Sequence, residues 1–300
     1  MEFVGKSKET IKIKEYAEKI ANSDSPILIY GETGTGKEVL VDYIHKVGNR
    51  RNRPLVVQNC AAVPANLLES ILFGTTKGAF TEATDKKGLF EVADDGIIYL
   101  DELNSMPIEL QGKILRVLED GMVRRIGGLT EIKVDVRVIA SVNTEPFECV
   151  NKGFLRRDLF YRLNVFYLKL PELKDRKEDI KELCEYFIKY YNEKFKKHVK
   201  GISNEVVEIF YRYDWPGNIR ELKNVLESVM NFKDGGVITI EDVPEHLIVN
   251  EKGLAEMIEE FEKSKIAEAL SLNDYNISNA AKYLKIPRQT LQYKIKKYGL

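Results

Sequence analysis

Strands alternating with helices up to residue 171, a helix-rich stretch to 249 and a helical segment from 250 to 300 that ends in a basic tail predict three parts. They are an α/β fold with a parallel sheet, an α-helical lid subdomain and an all-α helix-turn-helix domain. A glycine-rich turn between a strand and a helix narrows the first part to a P-loop nucleotide-binding fold.

The first strand is "SPILIY", Ser25 to Tyr30, a short apolar run followed by turn residues. "KEVLVDYIHKV" has helical spacing, with Val39, Tyr43 and Val47 on one face. "PLVVQN" and "GIIYLDE" read as further buried strands. "IELQGKILRVLEDG" reads as an amphipathic helix, with Leu110, Ile114 and Leu118 on one side and Gly121 ending it. "VDVRVIASVN" completes the strand set. After "LKLPEL", only helical patterns are expected from Asp175 to about Phe232, "EDIKELCEYFIKYYNEKF" among them. "NEKG", Asn250 to Gly253, reads as a linker, and a helix follows over Leu254 to Leu272.

Bulk properties exclude several classes. The chain is 44% hydrophobic and 31% charged, which suits a globular protein with real cores. No apolar run reaches the ~18 residues of a membrane span, and the N-terminus has no signal-peptide core. Cys60, Cys149 and Cys184 are odd in number and far apart, with three histidines besides, so neither a disulfide framework nor a zinc site is expected. A reducing, cytoplasmic setting fits. The net charge is −1, yet Asn276 to Leu300 holds six Lys or Arg and no acidic residue, which points to phosphate binding by the tail.

"GETGTGKE" fits G-x-x-x-x-G-K: Gly31, Glu32, Thr33, Gly34, Thr35, Gly36, Lys37, then Glu38. Glycines let backbone N–H groups wrap phosphates, Lys37 reaches the terminal phosphates, and the helix that follows adds its positive end. Glu38 stands where a Ser or Thr usually ligates magnesium, so the metal must lean on other oxygens or reach Glu38 directly or through water. "GIIYLDE" ends in Asp101, suited to hold magnesium, and Glu102, suited to orient or deprotonate water. The expected substrate is ATP, with Mg2+ as cofactor.

"ISNAAKYLKIPRQTLQYKIKKYGL" reads as a helix-turn-helix. Ala280, Ala281 and Leu284 pack the first helix, "KIP" turns, and Arg288 to Lys297 form the second. Thr290, Leu291 and Ile295 alternate between groove and core. Arg288, Gln289, Thr290, Gln292, Tyr293 and Lys294 are the candidate DNA contacts. On the preceding helix, Leu254, Ile258, Phe261 and Ala269 share roughly one face, suited either to a two-fold dimer or to packing within one subunit.

The chain resembles the bacterial enhancer-binding proteins, the NtrC-like AAA+ activators of sigma-54 RNA polymerase. The resemblance runs from about Gly5 to Leu300. It is carried by "GETGTGKE", "NCAAVPANLLESILFG", "KGAFTEA", "LDE", "LFYRLNVF", "WPGNIRELKN" and the Fis-type tail. Glu after the P-loop lysine is common in that family. The resemblance implies that Asn59 is a switch holding Glu102 from water, and that Asn143 senses the γ-phosphate. Val142 stands where the family usually has Thr. Arg156, with Arg157 beside it, and Arg162 match arginine-finger positions, and Arg220 matches the second sensor. A finger from a neighbouring subunit implies a homo-oligomeric ring, a hexamer, with a dimer as the inactive form.

The resemblance also names a partner for Gly78, Ala79, Phe80, Thr81, Glu82 and Ala83. This glycine-flanked loop would grip sigma-54 through an exposed aromatic. The family pattern "GAFTGA" has Gly where Glu82 stands. Two functions follow. One is an ATP-driven regulator that binds enhancer double-stranded DNA and remodels sigma-54 RNA polymerase to open promoters. The alternative is a DNA-binding regulator that no longer engages sigma-54 and acts as a repressor or with another sigma factor. Many family members carry an N-terminal sensor domain. Met1 here stands just before the ATPase region, which points to regulation in trans or to a sensor removed from the chain.

Overall fold

The computed structural model describes residues 2–79, 84–248, 254–273 and 275–299, with the backbone alone for 254–257 and 260. Phe80, Thr81, Glu82 and Ala83 lie outside the described residues, as does the predicted linker at 250–253. The chain forms two compact units, Met1–Pro244 and Glu245–Leu300.

The first unit runs α1 (Lys8–Ala21), β1 (Ile27–Tyr30), α2 (Lys37–Val47), β2 (Leu55–Asn59), α3 (Ala65–Phe73), β3 (Gly74–Thr75), β4 (Lys86–Lys87), α4 (Leu89–Val92) and β5 (Ile97–Asp101). It continues with α5 (Ile108–Asp120), β6 (Met122–Arg124), β7 (Glu131–Lys133), β8 (Arg137–Val142), α6 (Pro146–Asn151), α7 (Arg157–Leu163) and β9 (Phe166–Lys169). Among the described residues, five strands form one parallel sheet in the order β2-β5-β8-β1-β9.

Side chains alternate across that sheet, as the two-residue period of a strand requires. Leu28, Ile98, Leu100, Val138 and Ala140 join the core under α3, α5 and α7. Ile27, Ile29, Ile97, Tyr99 and Ile139 join the core under α1 and α2. Both faces are therefore covered, and the C-terminal ends of β1, β5 and β8 open onto the loops that carry the motifs. Ser7 caps α1 by accepting from the Thr10 amide, and Ile13, Ala17 and Ile20 form its buried stripe.

Three expectations are corrected. β2 is an edge strand and only half-buried, because nothing pairs with its outer side among the described residues. The buried face of α2 is Leu40, Val41 and Ile44, with Val39, Tyr43 and Val47 packed at its margin. The stretch after Asp175 is not purely helical: α8 (Asp179–Phe195), β10 (His198–Ile202), α9 (Asn204–Arg212), α10 (Asn218–Phe232) and β11 (Gly235–Ile238) follow in order. β10 and β11 pair as a short parallel ribbon, and β10 escapes notice because its sequence, "HVKGI", is too short and too polar to show a period. The helices of this lid pack around Trp215, which is fully buried, donates its indole N–H to the Phe210 carbonyl and meets Phe210 edge-on at 5.1 Å.

The second unit contains α11 (Leu254–Leu272), α12 (Ile277–Tyr283) and α13 (Arg288–Tyr298) around Ile266, Ala269, Leu270, Ala280, Ala281 and Leu291. Ala280 and Ala281 allow the close helix crossing. Asn276 caps α12 by accepting from the amides of Ser278 and Asn279, and Lys285, at φ 56°, makes the turn. No helix among the described residues is long and apolar enough to cross a membrane.

Candidate functional site

The loop from Gly31 to Gly36 joins β1 to α2. Gly34 (φ +80°) and Gly36 (φ +100°) take left-handed conformations that a side chain resists. Lys37 begins α2 and is buried, with its ammonium donating to the carbonyls of Gly31 at 2.6 Å and Glu32 at 3.2 Å. Burial lowers the pKa of Lys37, and the negative charges of Asp101, Glu102 and Glu32 oppose that shift. These carboxylates therefore gather around the ammonium, while the side chain of Glu38 is exposed.

Asp101 ends β5, and its orientation is fixed by three groups. Ser141 on β8 donates to Oδ1 at 2.5 Å, the Tyr99 hydroxyl reaches the same oxygen at 2.8 Å, and the Asn59 amide donates to Oδ2 at 3.1 Å. Glu102 stands next in the left-handed region (φ 53°), its amide donating to Ser141 Oγ at 3.3 Å. That strained backbone turns its side chain away from the strand's own alternation. Asn59 also accepts from the amides of Ala61 and Ala62, so its side chain is locked at the end of β2 and paired with Asp101 rather than Glu102. The register explains the pairing, since Asn59 lies directly opposite Asp101 in the parallel ladder.

Asn143, just past β8, accepts from the Asn104 amide at 3.0 Å, and the buried Val142 beside it offers no hydroxyl. Arg220, on α10, is exposed; its amide donates to the Gly34 carbonyl at 3.3 Å, and its charge lowers the pKa of Lys37. Lys37, Asp101, Glu102, Asn59, Asn143 and Arg220 thus converge at the C-terminal edge of the sheet, where open parallel sheets bind ligands.

The two candidate fingers do not join them. Arg156 precedes α7 and forms a bidentate pair with Asp158 at 2.7 and 3.0 Å. Arg162 is exposed and donates twice to the Leu118 carbonyl in the last turn of α5, at 2.8 and 3.2 Å. It lines a cleft with Asp24, Ser25 and Pro26, which lead into the N-terminal end of β1, away from the phosphate loop.

The described ends of the 78–83 loop are built on a short antiparallel pair, β3 with β4. The loop base is stitched to the β6–β7 hairpin: Ile126 donates to the Gly74 carbonyl, and Thr76 donates to the Ile126 carbonyl. Gly127 is required there, because a Cβ at that position would stand 2.6 Å from the Ala79 Cβ. Gly78 (φ +86°) has no neighbour within 4 Å of its Cβ position among the described residues. The hairpin was the part of this region least visible in the sequence, where "IGGL" alone marks a turn.

In the second unit, Arg288, Gln289, Gln292 and Tyr293 are exposed on one side of α13, Thr290 is half-buried, and Leu291 enters the core. Lys294 instead pairs with Glu262 at 2.5 Å, and Lys297 pairs with Glu259. Ile258 and Phe261 are exposed while Ala269, further along the same helix, is fully buried in the core of this unit, so packing within one subunit accounts for Ala269 alone; the Leu254 side chain lies outside the described residues.

Comparison with known proteins accounts for the whole arrangement. The sigma-54 interaction domain family matches residues 3–169, the AAA+ ATPase lid domain family 174–258, and the Fis family of bacterial regulatory proteins 257–298. The chain is 43% identical to the transcriptional activator RocR of Bacillus subtilis over 99% of its own length and 68% of RocR. It is 42% identical to the regulatory protein AtoC of Escherichia coli over 94% of its length and 64% of AtoC. A crystal structure of NtrX from Brucella abortus in complex with ATP superposes with a TM-score of 0.77 at 33% identity, covering 100% of this chain and 70% of that one. The chain therefore spans about two thirds of the length of these relatives. With a phosphate loop, a lid and a Fis-type helix-turn-helix in that order, it belongs to the bacterial enhancer-binding proteins, the NtrC-like AAA+ activators that depend on sigma-54.

Proposed function

We propose that the chain hydrolyses ATP and uses the energy to remodel sigma-54 RNA polymerase at promoters, acting from enhancer DNA held by its C-terminal unit. The observation that carries this reading is the convergence of Lys37, Asp101 and Glu102 at one sheet edge while Arg162 stands by the other. A complete hydrolytic site then needs an arginine from a second copy, which makes a ring, a hexamer, the active form and a dimer the resting one.

The backbone of Gly31–Gly36 and the ammonium of Lys37 receive the phosphates. Asp101 fits a magnesium ion, since three neighbours aim its carboxylate beside the phosphate loop. The metal, when bound, neutralises charge on the β- and γ-phosphates. Glu102 takes the proton of the attacking water as the bond between the γ-phosphorus and the bridging oxygen breaks, leaving ADP and phosphate. Asn59, bonded to Asp101, is the switch that engages Glu102 before the nucleotide is set. Asn143 reads the γ-phosphate and Arg220 reads the nucleotide from the lid. Arg156 and Arg162 leave Asp158 and the Leu118 carbonyl to stabilise charge in the neighbouring site.

The loop Gly78–Ala83 carries Phe80 and Thr81 to sigma-54, and Glu82 sits beside that contact. Arg288, Gln289, Thr290, Gln292 and Tyr293 meet DNA, with Lys294 supporting them from its pair with Glu262. The parts divide at 1–171, 172–249 and 250–300, and the protein works in the cytoplasm. The test is transcription from a sigma-54 promoter with an upstream enhancer. Open complexes should form with ATP and fail with a non-hydrolysable analogue; equal yields with both would overturn the reading.

A further inference from the structure

Outside the phosphate loop, two buried polar side chains grip its backbone, Arg176 and Asn218; Asn218 lies two residues before Arg220 in "WPGNIRELKN", and neither side chain is among those assigned above to the nucleotide. Arg176, at the end of a short 3-10 helix (Leu173–Arg176) that leads into α8, donates through Nη2 to the Thr35 carbonyl at 2.6 Å. Asn218, first residue of α10, donates its amide to the Thr33 carbonyl at 3.0 Å and accepts from the Leu173 amide at 2.8 Å. Each is 1% exposed.

Both side chains are costly to keep. Asn218 adopts φ +54°, a strained conformation for a residue with a side chain. The Nε and Nη1 atoms of Arg176 are buried without a partner among the described residues. Asp179, the nearest compensating charge, spends its carboxylate on Lys6, Ser7 and Thr10 instead. A guanidinium held in this way, for one hydrogen bond to one carbonyl, is poorly explained by stability alone.

We propose that Arg176 and Asn218 are positioning residues for the phosphate loop, acting through peptide orientation. In a planar trans peptide the C=O and the following N–H point in opposite directions. Holding the Thr33 and Thr35 carbonyls from the lid side turns the N–H groups of Gly34 and Gly36 towards the phosphate cradle. The Thr35 N–H between them is spent within the loop, on the Glu32 carbonyl at 3.4 Å. The lid backbone closes against the same peptides, since a Cβ on Gly34 would stand 2.3 Å from the Gly217 carbonyl oxygen. Through Arg176 and Asn218 the lid thereby shapes the cradle from outside, and these two side chains act without touching the anion.

The inference rests on the reading that this loop binds phosphates, and the test separates the two. Dissociation constants for ADP and for adenosine are measured on the full chain, the natural protein beside Lys37→Ala, Arg176→Met, Arg176→Lys and Asn218→Gly. Loss of a hydrogen bond from a charged group should weaken ADP on the order of tenfold in Arg176→Met, with adenosine unchanged. Arg176→Lys, which can still reach the Thr35 carbonyl, should recover most of that loss. Asn218→Gly, which tolerates the left-handed backbone, should repeat the ADP-selective defect. If Arg176→Met does not fold, the comparison of Arg176→Lys with Asn218→Gly decides. Equal weakening of ADP and adenosine, or weakening of neither, overturns the inference. A natural chain that binds ADP no better than Lys37→Ala overturns the parent reading instead.

Discussion

The guanidinium of Arg162 donates two hydrogen bonds to the carbonyl of Leu118, by the sheet edge opposite to the one where Lys37 lies. Turnover that depends on this arginine must therefore draw on two chains. ATP hydrolysis per chain should rise steeply with protein concentration. Arg162→Ala should bind ATP yet hydrolyse it more slowly by about a thousandfold or more, the range of an arginine finger. Mixing Arg162→Ala with Glu102→Ala should restore part of the rate. A constant rate per chain on dilution to a monomer, followed by light scattering, would refute the shared site.

DNA affinity should fall steeply with salt, because the helix-turn-helix offers several cations to phosphates. Arg288 is exposed at the start of α13, whereas Lys297 is already paired with Glu259. Arg288→Ala should reduce selectivity for the cognate site over random DNA by about tenfold, of the order of one lost base contact. Lys297→Ala should lower both affinities slightly and leave their ratio alone. Fluorescence anisotropy at several salt concentrations measures both quantities.

Glu91 and Arg125 form a bidentate pair at 2.6 and 2.8 Å, and Glu91 also accepts from the Gly88 amide, its side chain only 7% exposed. The Arg125 hydrogen bond, against the opposing effect of burial, holds the Glu91 carboxyl below its ordinary range. A depressed carboxyl pKa stabilises the fold above the unfolded value of ~4.3, and that contribution is lost as pH falls through the folded value. Glu91→Gln should cost about 2 kcal/mol at neutral pH. The gap between the two proteins in urea unfolding should close on acidification. A gap that stays constant with pH would show that the pair contributes nothing through charge.

Arg137 was invisible as anything but a strand residue, yet it is buried and donates to the carbonyls of Ile20, Ala21 and Ser25 at 2.8, 2.8 and 3.1 Å. It closes the C-terminal end of α1 against β8. Burial lowers its guanidinium pKa to about 10, with Asp24 opposing. Arg137→Met should take a donor from each of three carbonyls, of which Ile20 keeps the Ser23 amide, and lower stability by about 3 kcal/mol, with little change in ADP affinity in the fold that remains. Thermal unfolding beside ADP titration separates the two effects.

The phosphate loop and the Asp101–Glu102 pair were legible because their chemistry fixes residue types at fixed spacing beside strands. The sheet was legible because β5 opens on four consecutive apolar residues, Ile97 to Leu100, and β8 is apolar at four of its six positions. What escaped was set by contacts distant in sequence. Asn59 pairs with Asp101 through strand register, which no local pattern encodes. Arg176 and Asn218 reach the loop from 141 and 185 residues away. α1 and the β6–β7 hairpin were passed over because their signals, a capping serine with a sparse stripe and a Gly-Gly turn, are weak beside the motifs. Lys294 looked free for DNA because its partner, Glu262, lies a helix away.

The central claim, that ATP hydrolysis here drives a contact with sigma-54, is tested most directly by nucleotide-dependent binding to sigma-54 in the presence of a γ-phosphate transition-state analogue. The natural chain should bind. Phe80→Ala should lose binding and promoter opening while retaining ATPase activity and DNA affinity. Glu82→Gly should bind at least as well as the natural chain. Equal sigma-54 binding by the natural chain and Phe80→Ala would contradict the account.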